Sequence, residues 1–150
     1  MTFPLRLRRL GRVIPAAALV LGGLATGLPS ATADDDTGVA PPLHNVKYTV
    51  FSEQPFRNAQ LYYRDVDPPN FAAYSHNPYA FSPSANADTG PNQMWTMDVQ
   101  LADPDEWAMV TVGSLDSPQR PNFHCVLAVD GRVVATNQGS RGALCSIRNW

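Results

Sequence analysis

Apolar and polar residues alternate with a period of two along most of the chain after residue 45. The segment MWTMDVQL, residues 94–101, shows the pattern most clearly. From Trp95 onward its apolar residues occupy alternate positions: Trp95, Met97, Val99 and Leu101. A period of two places successive side chains on opposite faces of a β-strand. No segment of ten or more residues in this part of the chain has the i, i+3, i+4 spacing of an amphipathic helix. The pattern therefore predicts an all-β domain.

Seven short strands follow from this alternation and from the turn residues between them. We expect the strands at residues 46–52, 59–66, 94–101, 106–113, 123–129, 132–137 and 143–148. Asp130-Gly131 is a dipeptide that favours a two-residue type I′ hairpin, because both central residues of that turn have positive φ. Short strands separated by turn signals are typical of a β-sandwich. The sequence therefore predicts an immunoglobulin-like β-sandwich of about seven strands.

Residues 67–92, called the aromatic segment below, interrupt the alternation. The segment contains five prolines, and connections of this length without secondary structure are uncommon unless they are functional or disordered. Four aromatic residues lie within it: Phe71, Tyr74, Tyr79 and Phe81. Aromatic side chains on a surface loop provide contact area at low entropic cost, but they can also cover one open face of a sandwich. We expect a long loop whose aromatic residues either bind a partner or cover the core.

The first 33 residues have the three parts of a secretory signal peptide. Arginines precede an apolar stretch at residues 13–28, and Ala31-Thr32-Ala33 provides a small-x-small cleavage site. A membrane-spanning helix needs about 20 predominantly apolar residues, and this stretch is shorter. We expect cleavage after residue 33, a disordered leader at residues 34–45 and one folded domain at residues 46–150. An uncleaved membrane anchor is the alternative.

Loss of the signal peptide would change the charge of the chain. The full sequence has 11 basic and 13 acidic residues, and four of the basic residues lie within the first 33 positions. The mature chain then has a net charge of 7 − 13 = −6. Phosphate binding requires clustered lysine and arginine. We therefore expect no nucleic-acid partner.

Cys125 and Cys145 are the two cysteines of the chain, and two cysteines in an exported protein most simply form a disulfide. In a flat meander, the strands at 123–129 and 143–148 would lie two strand spacings apart, about 9.6 Å. The two Cα atoms of a disulfide lie within about 7 Å of each other. The last strand must therefore cross to the facing sheet or pair on the other side of strand 123–129. A disulfide between two sheets is the arrangement of immunoglobulin domains.

No motif for catalysis is present. The sequence has no Gly-x-Ser-x-Gly elbow, no phosphate-binding glycine loop and no His-Glu-x-x-His. The histidines, His44, His76 and His124, lie where solvated surface residues are expected. The acidic turn at residues 103–106 could form a weak calcium site, although an ordinary β-turn explains the same residues. We expect no catalytic residue, no cofactor and no metal site. A small hydrolase whose residues converge only in the fold is the alternative.

Several segments together resemble a known family. They are the opening strand VKYTV, the segment AQLYYRDVD, the tryptophan strand QMWTMDVQL, and CVLAVDGRVVA followed by a second cysteine. They resemble the extracytoplasmic domain of the small mycobacterial membrane proteins called MmpS. The resemblance implies a seven-stranded immunoglobulin-like sandwich and an accessory role beside an RND-type transporter that exports lipids or siderophores. The cleavable start and the aromatic segment depart from that family, whose members keep a membrane anchor.

The sequence thus predicts a secreted or periplasmic protein of the cell envelope that binds a partner without catalysis. We expect the partner to be an envelope protein or a lipid-like ligand, contacted through the aromatic segment. One alternative is a membrane-retained accessory subunit of an RND-type exporter, held by an uncleaved signal. The other alternative is a small secreted hydrolase.

Overall fold

The computed structural model describes residues 40–149, which form two antiparallel sheets of four strands each. The predicted signal peptide at residues 1–33 and half of the predicted leader, residues 34–39, lie outside the described residues. The eight strands are β1 (His44–Ser52), β2 (Phe56–Tyr63), β3 (Ser84–Thr89), β4 (Trp95–Leu101), β5 (Met109–Gly113), β6 (Phe123–Val129), β7 (Arg132–Gly139) and β8 (Gly142–Ser146). The predicted all-β sandwich is confirmed.

The chain changes sheet at most of its connections. The first sheet has the strand order β4-β1-β6-β7, and the second sheet has the order β3-β2-β5-β8. Consecutive strands are neighbours only in the β2-β3 and β6-β7 pairs. The β6-β7 hairpin turns at Asp130 and Gly131, whose φ angles are +49° and +78°. Both angles are positive, as the predicted type I′ turn requires.

The core lies between the two sheets and consists of their inward-facing residues. Along β1, Val46, Tyr48 and Val50 are buried, whereas the residues between them are exposed or half-buried. Other buried members of the same cluster are Leu61, Leu101, Val110, Val112, Phe123 and Leu127. Full burial of such a side chain contributes about 1.5–3 kcal/mol. A shift of one residue in strand register would expose a whole set of these side chains, so the alternation determines which face of each strand is inside.

A disulfide joins Cys125 of β6 in the first sheet to Cys145 of β8 in the second, with the two Cα atoms 5.9 Å apart. Both cysteines are buried. Of the two arrangements that remained open for the last strand, the structure has the crossing to the facing sheet. The crossing turns between Gly139 and Gly142, where a Cβ atom on Gly139 would overlap the carbonyl oxygen of Gly142. The close approach of the chain to itself requires glycine at this corner.

The aromatic segment has more secondary structure than a long loop. It contains helix α1 (Phe71–His76), a short 3₁₀ helix (Pro78–Phe81) and β3. Asn70 caps α1, because its side chain accepts a hydrogen bond from the backbone N–H three residues later, at 2.8 Å. β3 pairs with β2 at the edge of the second sheet, and Ala85 and Ala87 pack against the core. The alternation of apolar and polar residues in β3 is weak because its inward apolar residues are small alanines. Alanine also has a low strand propensity, so the sequence does not signal this strand.

A one-turn helix, α2 (Pro104–Trp107), stands where the sequence predicts the start of the fourth strand. The carboxylate of Asp103 accepts a hydrogen bond from the N–H of Glu106 at 3.1 Å, and proline at the first helical position suits the helix backbone. Strand β5 therefore begins only at Met109. Within residues 40–149, no helix has the length and hydropathy that crossing a membrane requires.

Removing the disulfide should lower the free energy of unfolding by about 3 kcal/mol, the chain-entropy value for a loop of this size. The sequence separation of the two cysteines is 20. Urea denaturation of the double variant Cys125→Ala, Cys145→Ala, compared with the wild type, measures the difference. A reductant should destabilise the wild type by a similar amount and leave the double variant, the control, unchanged. Equal free energies of unfolding in the two proteins would contradict the prediction.

Candidate functional site

Arg64 directly follows β2, and its side chain is fully buried (0% exposed). Its Nη1 atom donates hydrogen bonds to the carbonyl oxygen of Phe81 at 2.6 Å and to the hydroxyl of Ser82 at 2.9 Å. Its Nε atom donates to the carbonyl oxygen of Trp107 at 3.4 Å. One guanidinium group thus connects the aromatic segment to helix α2.

Two aromatic rings pack against the same guanidinium group. Its Cζ atom lies 4.5 Å from the ring centroid of Tyr74 and 5.9 Å from that of Trp107. Among the described residues, no ion pair includes Arg64, and its Nη2 atom makes no hydrogen bond. Carbonyl dipoles and aromatic π-electrons therefore stabilise this charge in place of a carboxylate, and a desolvated cation–π contact contributes about 2 kcal/mol.

The backbone of Arg64 is held by the opposite sheet. The hydroxyl of Tyr48, on β1, donates a hydrogen bond to the carbonyl oxygen of Arg64 at 2.8 Å. Burial raises the pKa of Tyr48 well above its ordinary value of 10.0. Tyr48 therefore stays protonated, and remains a donor to Arg64, throughout the physiological pH range.

The four aromatic residues of the aromatic segment form two groups. Tyr74 and Phe81 are half-buried, and each contacts Arg64, Tyr74 through its ring and Phe81 through its carbonyl oxygen. Phe71 is 49% exposed and Tyr79 is 75% exposed. The sequence left two roles for these residues, covering the core or binding a partner. The structure allows different residues to take the two roles. Tyr74 covers buried groups, and Phe71 and Tyr79 present their rings to solvent.

Each exposed ring has a defined neighbour. The ring of Tyr79 lies 6.3 Å from the ring of Tyr62 on β2. The ring of Phe71 lies 5.0 Å from the guanidinium carbon of Arg148, whose Nη1 is 3.3 Å from a carboxylate oxygen of Glu106. The two rings are therefore exposed but packed on one side.

His44 and Asp130 form a polar pair beside the β6-β7 turn. The Nδ1 atom of His44 is 2.7 Å from Oδ2 of Asp130, and the N–H of Asn45 donates to Oδ1 at 2.9 Å. These hydrogen bonds lower the pKa of Asp130 below its ordinary value of 3.8, and the bond to His44 has the larger effect. The pair lines a cleft of about 520 Å³, and the residues lining this cleft include no serine, threonine or cysteine.

His124 also has an acidic partner. Its Nε2 atom is 3.0 Å from Oε1 of Glu53, and the Asn122 amide donates to the same oxygen at 2.6 Å. The hydrogen bond to His124, and then that from Asn122, lowers the pKa of Glu53. The histidines were expected to be solvated surface residues, yet His44 and His124 are each paired with an acid. The acids are 86 and 71 residues away in sequence, a separation at which no local pattern signals a contact.

The acidic turn at residues 103–106 is held by hydrogen bonds of its own. Asp103 caps α2, and the carboxylate of Asp67 accepts hydrogen bonds from the N–H groups of Ala102 and Asp103 at 2.7 and 3.0 Å. Across residues 40–149, no group of three or more histidine, cysteine, aspartate or glutamate side chains is placed to hold a metal ion.

Sequence reasoning missed Arg64. The strand predicted at residues 59–66 puts Arg64 on the same outward face as Tyr62. The strand instead ends at Tyr63, and the side chain of the next residue enters the protein. No motif or spacing marks Arg64, because its partners come from the carbonyl groups of distant segments.

Comparison with known proteins identifies relatives over most of the chain. Residues 48–145 match the family model described as the Rv2576c β-sandwich domain. The chain is also similar to the uncharacterized protein Rv2576c of Mycobacterium tuberculosis (strain ATCC 25618 / H37Rv) and to the uncharacterized protein Mb2606c of Mycobacterium bovis. Each is 32% identical over 143 residues, which cover 93% of this chain and 88% of the relative.

The resemblance to the MmpS proteins is wrong, because the matching family and relatives are those of Rv2576c. The resemblance depended on a tryptophan strand, an Asp-Gly hairpin and a pair of cysteines. These features recur in disulfide-bonded β-sandwiches that share no function, so they do not identify a family. The accessory role beside an RND-type exporter depended on the same resemblance and is withdrawn with it.

Replacing Arg64 with methionine should lower the free energy of unfolding by about 3 kcal/mol, because buried acceptors on Phe81, Ser82 and Trp107 lose their donor. Urea denaturation measures this loss, and limited proteolysis should cut the aromatic segment faster in the variant. The matched control is Arg57→Met, at an exposed position of β2, which should change stability by less than about 0.5 kcal/mol. Equal losses in the two variants would contradict a structural role for the buried guanidinium.

The pKa of the Asp130 carboxyl, measured by NMR, should lie below 3.8 and should rise towards that value in His44→Ala. A carboxyl whose pKa is depressed by folding stabilises the protein above its unfolded pKa, and this stabilisation is lost as the pH falls through the folded pKa. The free energy of unfolding should therefore fall more steeply below pH 3.8 in the wild type than in Asp130→Asn. Parallel pH profiles for these two proteins would argue against the pairing.

Proposed function

The chain belongs to the Rv2576c β-sandwich family, and we propose that it is an exported, non-catalytic binding module of the cell envelope. One observation carries the proposal. Phe71 and Tyr79 are exposed, yet they lie on a segment that the buried Arg64 holds against the sandwich. The partner is a component of the envelope that contacts these rings.

Fixed aromatic rings are efficient binding groups. Ordering a mobile side chain on binding costs about 0.5–1.5 kcal/mol. The hydrogen bond from Arg64 to Phe81 and the contact with Tyr74 order the aromatic segment in the free protein, before any partner arrives. Tyrosine and tryptophan provide a large contact area with only two side-chain torsions, and aromatic residues are enriched at interfaces. The segment therefore has the properties of a preorganised contact surface.

Two features support export. A disulfide between the two sheets is a bond that forms and persists in oxidising compartments outside the cytosol. The signal peptide predicted at residues 1–33 provides the route. After its removal the net charge of −6 disfavours nucleic acid as the partner.

The proposal includes no catalytic step. A hydrolase that used the His44–Asp130 pair would need a nucleophile beside the imidazole. The lining of the cleft at this pair offers no hydroxyl or thiol side chain. We therefore assign the pair a structural role at the β6-β7 turn, where it ties β1 to the hairpin.

Replacing Phe71 and Tyr79 together with alanine should weaken binding to isolated envelopes by at least about tenfold, equivalent to about 1.4 kcal/mol. Co-sedimentation of the purified protein with envelopes from mycobacterial cells, the genus of the relatives, measures the affinity. The free energy of unfolding should change little, because both side chains are exposed.

The control for this experiment is the double variant Val133→Ala, Val134→Ala, which removes two exposed apolar side chains from β7. It should bind like the wild type. If the wild type does not sediment with envelopes, or if both double variants bind equally well, the proposed function is wrong.

A further inference from the structure

The outer surface of the second sheet has no charged residue in its two central rows. Cross-strand pairing defines one row as Ser84, Tyr62, Thr111 and Leu144, and the next row as Asn86, Gln60, Gly113 and Gly142. Their neighbours along the strands, among them Leu61, Val112 and Ala143, are buried in the core. The two rows therefore face away from the core. We call these eight residues the neutral face.

The outer surface of the first sheet differs in charge. Lys47 and Asp98, opposite each other on β1 and β4, form an ion pair at 3.4 Å. His124 on β6 is paired with Glu53 at 3.0 Å. The absence of charge is thus a property of one sheet and not of the whole surface.

Tyr79 adds a second tyrosine ring beside the neutral face. Its centroid lies 6.3 Å from that of Tyr62, and the two ring planes are inclined at 57°. The 3₁₀ helix that carries Tyr79 ends at Phe81, whose carbonyl oxygen accepts the hydrogen bond from Arg64. The accessible ring of Tyr79 is therefore held in a fixed place beside Tyr62, whose row also contains the hydroxyl groups of Ser84 and Thr111.

We propose that the neutral face and Tyr79 bind a neutral glycan. This inference rests on the proposed function and names the ligand class. The C–H groups on one side of a sugar ring are attracted to the negative face of an aromatic ring, which Tyr79 offers. Sugar hydroxyls donate and accept hydrogen bonds, and the amides of Gln60 and Asn86 do the same. The hydroxyls of Ser84 and Thr111 add two further groups of this kind.

Charge and polarity select a glycan over other ligands. An anionic polymer needs clustered lysine or arginine, and the neutral face has neither. An acyl chain needs a broad apolar surface, whereas the eight residues of the neutral face include one large aliphatic side chain, that of Leu144. An uncharged, hydroxyl-rich ligand leaves no buried charge unpaired on either side of the contact. A neutral glycan is the class that matches these groups.

Co-sedimentation with delipidated mycobacterial envelopes tests the inference. The exported protein, purified with its disulfide intact, should still bind envelopes that have been treated with protease. Oxidation of the envelopes with periodate, which cleaves the vicinal diols of sugars, should weaken binding by about tenfold or more, equivalent to about 1.4 kcal/mol or more.

Variants on the neutral face locate the contact. Tyr62→Ala should weaken binding by about tenfold. Asn86→Ala should weaken it severalfold, and because Asn86 is exposed at an edge strand, this variant remains folded even if Tyr62→Ala is destabilised. Phe51→Ala is the matched aromatic control on the outer surface of the first sheet, where Phe51 stacks on His124. It should bind like the wild type.

The outcomes separate this inference from the proposed function. Binding that survives periodate, or that neither Tyr62→Ala nor Asn86→Ala weakens, overturns the glycan inference and leaves an envelope-binding role in place. Binding that protease abolishes identifies a protein partner and also overturns the glycan inference. Failure of the wild type to bind untreated envelopes overturns the proposed function itself.

Discussion

The Arg64 guanidinium needs hydrogen-bond acceptors inside the protein, because an unpaired buried charge costs several kcal/mol. Its acceptors are oxygens of Phe81, Ser82 and Trp107, which belong to two segments that are distant in sequence. Burial of this one side chain therefore requires both segments to fold against the sandwich. The exposed rings of Phe71 and Tyr79 lie on the aromatic segment that Arg64 holds in place. Burial of Arg64 therefore also determines where these two rings lie.

The outer surfaces of the two sheets differ in charge. The Lys47–Asp98 ion pair and both histidine–acid pairs involve strands of the first sheet, whereas the central rows of the second sheet hold only neutral groups. Three buried interactions join the sheets: the hydrogen bond from Tyr48 to the backbone of Arg64, the hydrogen bond from the Ser52 hydroxyl to the Thr89 hydroxyl, and the disulfide. These interactions hold the second sheet in place against the first. A sheet that is fixed in this way is suited to present a contact surface.

The parts of the fold that the sequence predicted depend on local chemistry or on large inward side chains. β1 was predictable because bulky residues such as Tyr48 alternate with polar ones. β6 was predictable because its short run of mainly bulky apolar residues ends at Asp130-Gly131, which determines its own turn. β3 was missed because its inward residues are alanines. Neither Arg64 nor the His44–Asp130 pair could be predicted, because each depends on groups far away in the chain. The family resemblance failed for the opposite reason: its motifs are local, and many β-sandwiches share them.

The presence of just two cysteines in the 150 residues has a consequence for oxidative folding. With four cysteines a chain can form three different sets of disulfides, and wrong pairs must be reshuffled by thiol–disulfide exchange. Here Cys125 has one intramolecular partner, so oxidation within a single molecule gives a single product. In the folded protein that product joins β6 of one sheet to β8 of the other across the core. Because two cysteines allow one intramolecular pairing, a single molecule needs no disulfide isomerase to reach its correct covalent structure.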